Sequence, residues 1–369
     1  MSGLGNSLLE AVYDGALWAW TACASTGLLG SRGSQTVDVG GTRYNIVRHL
    51  GEGGFSVVLL VENSESGQQY ALKKMVCQRG TDMLEMAQRE IDAYRRFRHP
   101  NIIRMVAHSA EPAESMPGAS IVNMVFPLYT RGNLMDLVAH SQESGEPLDE
   151  SFIVDVFRGI CSAVQYLHNY GSGSEYNPPQ GPGTHAADVS SEQRRFLLAE
   201  NGSQPAAAAA GDGPYVHRDL KLANVMLSDD LDAPVLMDFG SVAHARITAE
   251  TRADALRIQD DAAENCTMPY RAPELFDVQT GADLDERTDV WSLGCLLFAL
   301  AYGYTPFEDP QEGPGASIAL AAINARYRYP RSSPYSDRIP RLIDAMLVAD
   351  PHERPFIGSV IALVDELYS

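Results

Sequence analysis

The sequence predicts an α+β fold in two unequal lobes: a small N-lobe built on an antiparallel β-sheet with one helix, then a larger, mainly helical C-lobe. Three observations carry this. Between residues 44 and 76, short apolar runs rich in Val, Leu and Tyr are separated by turn residues, as in strands. From residue 133 onward apolar residues recur at spacings of three and four, as in helices. At 369 residues the chain is long enough for two packed cores.

Residues 44–47 begin the strand pattern and lead through Gly51-Glu52-Gly53-Gly54-Phe55-Ser56 into an apolar run ending at Val61. Residues 63–67 are a turn and 69–76 a third strand. Residues 83–98 have helical character, ended at His99-Pro100-Asn101 because the residue before proline is pushed out of the α region. Two further strands are expected near 102–108 and 120–126. In residues 151–169, Phe152, Val156, Ile160, Ala163 and Leu167 fall on one helical face. Residues 290–302 are almost wholly apolar, hence a buried helix, and a last helix spans roughly 356–367.

Two segments break the pattern. Residues 171–213 are rich in Gly, Ser, Pro and Ala, with five alanines at 206–210. Such a tract buries too little apolar surface to offset its ordering entropy, so it reads as a disordered low-complexity insert within a domain. The N-terminal segment, 1–40, holds an apolar stretch in which Leu8, Leu9, Val12, Tyr13, Ala16, Leu17 and Trp20 lie near helical spacing. It has no basic n-region, so a secretory signal is not expected.

The net charge of −20 argues against a nucleic-acid binder, which should show a basic face. Cys23, Cys77, Cys161, Cys266 and Cys295 are dispersed, with no C-x-x-C pair, which points to reduced thiols in a cytosolic setting. No run of about 20 uninterrupted apolar residues is present, so no spanning helix is expected.

The chemistry is concentrated in His217-Arg218-Asp219-Leu220-Lys221-Leu222-Ala223-Asn224, followed by Asp238-Phe239-Gly240. Together they offer a carboxylate to accept a proton, an ammonium to meet a phosphate, and oxygen ligands for Mg²⁺. Phosphoryl transfer needs that set. Upstream, the glycines of residues 51–56 let backbone N–H groups approach phosphates without a Cβ in the way. Alone this signal is weak, because Ser56 stands where a full G-x-G-x-x-G has its third glycine. Lys73, in Ala71-Leu72-Lys73, alternates with apolar neighbours and can point inward, with Lys74 on the surface. Glu90 on the following helix is placed to pair with Lys73. Near the end, Glu274 and Arg354 lie in apolar sequence, as a buried structural ion pair would. Asp289, at a helix start, can accept backbone N–H bonds.

All these parts, in this order, resemble the eukaryotic protein kinases over about residues 44–367, with a gap at 171–213. The resemblance implies a two-lobed fold with ATP in the cleft, the Lys73–Glu90 ion pair, Asp219 as catalytic base, Lys221 on the γ-phosphate, and Asn224 and Asp238 as Mg²⁺ ligands. Thr267 matches the threonine that supports the site in serine/threonine kinases. The resemblance implies nucleotide contacts at Leu50, Gly51, Glu52, Gly53, Gly54, Phe55, Ser56, Val58, Ala71, Lys73, Asn224, Met226 and Asp238. Phe126 is the expected gatekeeper, and Pro127, Leu128 and Tyr129 the hinge. The expected partners are proteins bearing Ser or Thr acceptors.

Residues 234–241, 262–276 and 285–292 further resemble the Numb-associated kinase family. Within it they are closest to the lipid-anchored serine/threonine branch and its fungal vacuole-associated members. That resemblance implies an extra helix in residues 252–264 and a peripheral position on an endomembrane, vacuolar or Golgi. Met1-Ser2-Gly3 does not support N-myristoylation. Cys23 is the one cysteine of the N-terminal segment and so its candidate for S-palmitoylation, with the apolar helix as second lipid contact. A pseudokinase scaffold, the rival reading, predicts loss of at least one of Lys73, Asp219, Asn224 or Asp238, and all four are present.

Overall fold

The computed structural model describes residues 36–53, 56–78, 80–113, 116–171, 213–229, 233–308 and 317–368. It divides into two compact units: one of residues up to Arg95 with Ile103–Leu128, the other of Arg96–Ile102 with everything from Tyr129. Most of the 1–40 segment and nearly all of the 171–213 tract lie outside the described residues.

The first unit is one sheet and one helix. Strands β1 (Thr36–Val39), β2 (Thr42–Gly53), β3 (Ser56–Asn63), β4 (Gln69–Cys77), β5 (Ala107–Pro112) and β6 (Ser120–Pro127) form a sheet in the order β1-β2-β3-β4-β6-β5, every neighbouring pair antiparallel. Val39, Tyr44, Val61, Leu72 and Val125 make a core on one face. Helix α1 (Met83–Arg96) buries Ala87, Glu90, Ile91 and Tyr94, a stripe at spacings of three, one and three. Tyr94 meets the ring of Phe126 edge-on at 4.9 Å, which fixes the helix to the other face.

Two elements differ from the sequence expectation. Strand β1 precedes the predicted start. It is paired to β2 through Gly40-Gly41, whose φ angles of 59° and 82° suit the two-residue turn that requires positive φ at both positions. The strand expected near 102–108 lies at Ala107–Pro112 instead. The apolar Ile102 belongs to the second unit, where it bridges Leu236, while the strand itself is a polar edge strand with little apolar patterning.

In the second unit, α2 (Leu134–Ser144) and α3 (Glu150–His168) each pack against α5 (Arg287–Tyr302), with α4 (Arg252–Asn265) between the last two in sequence. Helices α6 (Ile318–Ile323), α7 (Arg338–Met346) and α8 (Ile357–Asp365) follow. Every residue of α5 from Asp289 to Leu300 is buried, as its all-round apolar sequence requires. Short strands β7 (Tyr215–Val216), β8 (Val225–Leu227), β9 (Pro234–Leu236) and β10 (Ala243–His244) frame a loop system, with β8 paired to β9 and β7 to β10. Gly159 of α3 lets β9 come close: a Cβ there would stand 2.5 Å from the Pro234 ring. Arg354, fully buried, makes a two-pronged pair with Glu274 at 2.8 and 2.9 Å. The extra helix expected at 252–264 is present as α4.

Candidate active site

The two halves of the expected site are assembled each within its own unit. In the first, the sheet register puts Gly51 opposite Val58 and Val58 opposite Lys73, and Ala71 opposite Phe126. Alternation along the strands therefore sets Val58, Ala71, Lys73 and Phe126 on one face, the face that α1 covers. Lys73 Nζ reaches Glu90 Oε1 at 2.7 Å, and Glu90 is only 3% exposed. A carboxylate so buried needs its counter-ion, which ties Lys73 to a single geometry. Leu50, Gly51, Glu52 and Gly53 end β2, and Ser56 begins β3, but Gly54 and Phe55 at the tip lie outside the described residues.

In the second unit the β8–β9 hairpin does the positioning. Asn224 stands just before β8, and Met237-Asp238 just after β9. Met237 N–H donates to the Asn224 carbonyl at 2.9 Å, so Asp238 lies beside Asn224. Met226 sits within β8 and bridges Asn133. Arg218 and Asp238 have φ of 71° and 64°, values that non-glycine residues seldom adopt and that concentrate at functional sites.

Asp219, 9% exposed, is the hub. Its Oδ1 accepts the Thr267 hydroxyl at 2.5 Å, and its Oδ2 takes Lys221 Nζ at 2.8 Å and the Asn224 amide N–H at 3.0 Å. Lys221 also donates to the Thr267 hydroxyl at 2.9 Å, so three side chains close a ring around one carboxylate. Burial pushes the Asp219 carboxyl up, but the hydrogen bonds from Lys221 and Thr267 and the Lys221 charge outweigh it and hold it below its ordinary range. Asn224 spends its N–H on Asp219. Its amide oxygen and the Asp238 carboxylate are hard oxygen donors, the kind Mg²⁺ takes when a phosphate completes its shell.

The loop is held from below by Asp289. Its Oδ2 accepts the His217 N–H at 2.7 Å and its Oδ1 the Arg218 N–H at 2.9 Å, while His168 Nε2 lies 3.1 Å from Oδ2. Asp289 thus accepts backbone N–H bonds as its place at a helix start allows, and the donors are residues about seventy positions earlier. No local sequence signal carries contacts of that range, that of His168 included. Leu128 closes the first unit, and the buried Tyr129 opens the second.

The protein kinase domain family matches residues 44–172 and 213–363, passing over the low-complexity tract. Serine/threonine-protein kinase 16 of Homo sapiens is 37% identical over 91% of this chain and 93% of its own length. Serine/threonine-protein kinase ppk13 of Schizosaccharomyces pombe is 33% identical over 90% and 92%. Serine/threonine-protein kinase ENV7 of Saccharomyces cerevisiae is 30% identical over 90% and 94%. The site geometry, the family match and these relatives agree: the chain belongs to the protein kinase family.

Proposed function

We propose that this protein kinase transfers the γ-phosphoryl group of Mg·ATP to serine and threonine hydroxyls of proteins. The observation that carries the reading is the ring of Lys221, Thr267 and Asn224 around Asp219. Asp219 is ionised and oriented, so it can accept the proton of an attacking hydroxyl. Lys221 is held within reach of the same point and can meet charge developing on the phosphate. Lys73, fixed by Glu90, binds nucleotide phosphates, and Asn224 and Asp238 would hold the metal. Bound Mg²⁺ would neutralise phosphate charge. The serine/threonine designation of the relatives and the Lys221–Thr267 bond support the choice of acceptor.

A radiolabel transfer assay on a generic protein substrate tests this. Wild type should label it on serine and threonine, and Asp219→Asn and Lys73→Ala should not, with melting temperatures close to wild type. Full activity in either variant would sink the assignment.

The kinase domain is taken as 44–367, interrupted by a low-complexity insert at 171–213 that lies almost wholly outside the described residues. Its membership of the lipid-anchored Numb-associated branch is supported by α4 in the expected place. A peripheral endomembrane position rests on Cys23 and the apolar stretch with Trp18 and Trp20, residues outside the described ones. Hydroxylamine, which cleaves thioesters, and Cys23→Ser should each release the protein from membranes. A mutant that stays bound would refute the anchor.

A further inference from the structure

Arg218, next to Asp219, carries a guanidinium held by groups from the 238–274 segment. Its Nε donates to the Ser241 carbonyl at 2.5 Å, and its Nη1 pairs with Asp261 Oδ2. The Arg218 side chain is 17% exposed, too enclosed for its charge to be left without a counter-ion. In protein kinases such a site is a place where a phosphate added to the activation segment pairs with arginine and orders it. Here a carboxylate built into the chain already stands there.

Asp261 is prepared for that position. It lies on α4, a helix started by a reciprocal cap between Thr251 and Asp254. Ala255, Ile258 and Ala262 bury one face of the helix. The second oxygen of Asp261 accepts the Asn265 amide N–H at 2.9 Å, one turn on, which fixes the carboxylate's rotation. Six residues after Asp261, Thr267 grips Asp219. One stretch of chain therefore holds two consecutive loop residues, Arg218 through Asp261 and Asp219 through Thr267. Two threonine hydroxyls of the segment are engaged otherwise: Thr248 donates to Asp283 at 2.6 Å, and Thr251 caps α4.

We infer that Asp261 is the resident counter-ion of Arg218, a positioning residue that keeps residues 238–274 in their working arrangement with no phosphate on them. The inference rests on the kinase reading above. It acts through Thr267 and Asp219, so it governs turnover and leaves nucleotide binding alone.

The test uses the full chain, treated with a broad-specificity protein phosphatase that is then removed, with mass spectrometry showing residues 238–274 free of phosphate. This protein should keep the kcat of the untreated enzyme. Asp261→Asn, which removes the charge and little volume, should lower kcat on the order of ten- to a hundredfold. Its KM for ATP should stay within about twofold. Asp261→Glu should restore most of the loss, which a packing role would not. Loss of wild-type activity on dephosphorylation overturns the inference even if Asp261→Asn fails to fold. A folded Asp261→Asn with full kcat overturns it as well. Wild type inactive before and after phosphatase overturns the kinase reading itself, and the inference with it.

Discussion

The Asp289 carboxylate accepts the backbone N–H of His217 at 2.7 Å, so the loop that presents Asp219 hangs from the first turn of α5, a helix buried without a break from Asp289 to Leu300. Its neighbour Arg218 gives its N–H to the other oxygen at 2.9 Å and has φ of 71°. The strained backbone is thus held by an anchor that cannot move without disturbing the core. Burial pushes the Asp289 carboxyl up, but the His168 hydrogen bond and charge, with His217, outweigh it and hold it below the ordinary range.

Asp289→Asn should therefore damage both stability and turnover. The amide has one acceptor oxygen where two are used, and its N–H₂ faces backbone donors. Loss of stability on the order of 3 kcal/mol is expected, and kcat should fall by more than the unfolded fraction explains. Denaturant unfolding and activity per folded molecule, measured on the same sample, check it. A variant with wild-type midpoint and kcat would show that the loop holds itself.

Glu274 and Arg354 allow a second test. The guanidinium also donates to the Arg287 carbonyl at 2.9 Å and the Val348 carbonyl at 3.0 Å and lies over the Trp291 ring at 5.1 Å. Removing Glu274 leaves a fully buried cation without its carboxylate, so Glu274→Leu should cost about 3–5 kcal/mol. The double change Glu274→Leu with Arg354→Met should cost less than either single change suggests, because no charge is left stranded. Additive losses in a double-mutant cycle would count against an ion-pair role.

Much of this architecture is legible in the sequence, and the exceptions have physical reasons. The buried helix α5 is visible because its sequence is apolar on all sides, and α1 because its stripe ends at a histidine–proline pair. Lys73 and Glu90 can be paired on paper because both belong to regular elements whose faces can be counted. The Gly40-Gly41 hairpin carries a readable turn signal at a point where the flanking strand is only four residues long. Edge strand β5 is polar and short, so period-two reasoning slides onto the apolar residues before it. Contacts such as Asp289 to His217, or Asp261 to Arg218, join residues tens of positions apart across irregular loops, where no periodicity says which polar groups meet.

Deletion of residues 172–212 with a short Gly-Ser bridge between Gly171 and Gly213 is a third test. The flanks are tied down: α3 ends at His168 with Asn169 N–H on the Gln165 carbonyl, and Pro214 carbonyl accepts the Ala245 N–H at 2.9 Å. Loop closure grows slowly with length, about 0.6 kcal/mol per doubling, so the melting temperature should change little and kcat not at all. A large drop in melting temperature would mean the tract packs on the second unit.

The last test concerns the acid side of turnover. Asp219 is pushed up by burial and pulled down further by Lys221 and Thr267, and it ends below the ordinary carboxylate value of 3.8. A depressed carboxyl contributes its stability fully above that value and loses it only as pH falls through the lower, folded one. Asp219 in the wild type should therefore stay ionised through mildly acid conditions. Lys221→Met removes both the hydrogen bond and the charge that lower it, leaving burial opposed by Thr267, the Asn224 amide N–H and a weaker charge effect from His217. The carboxyl must then rise, and the acid limb of the kcat profile should move to higher pH. Thr267→Val should move it the same way by less, since it removes a neutral donor and leaves the cation. The pH–rate profiles of the three proteins, compared at saturating nucleotide, decide this. An acid limb that stays fixed in Lys221→Met would mean that another group, and not Asp219, sets it.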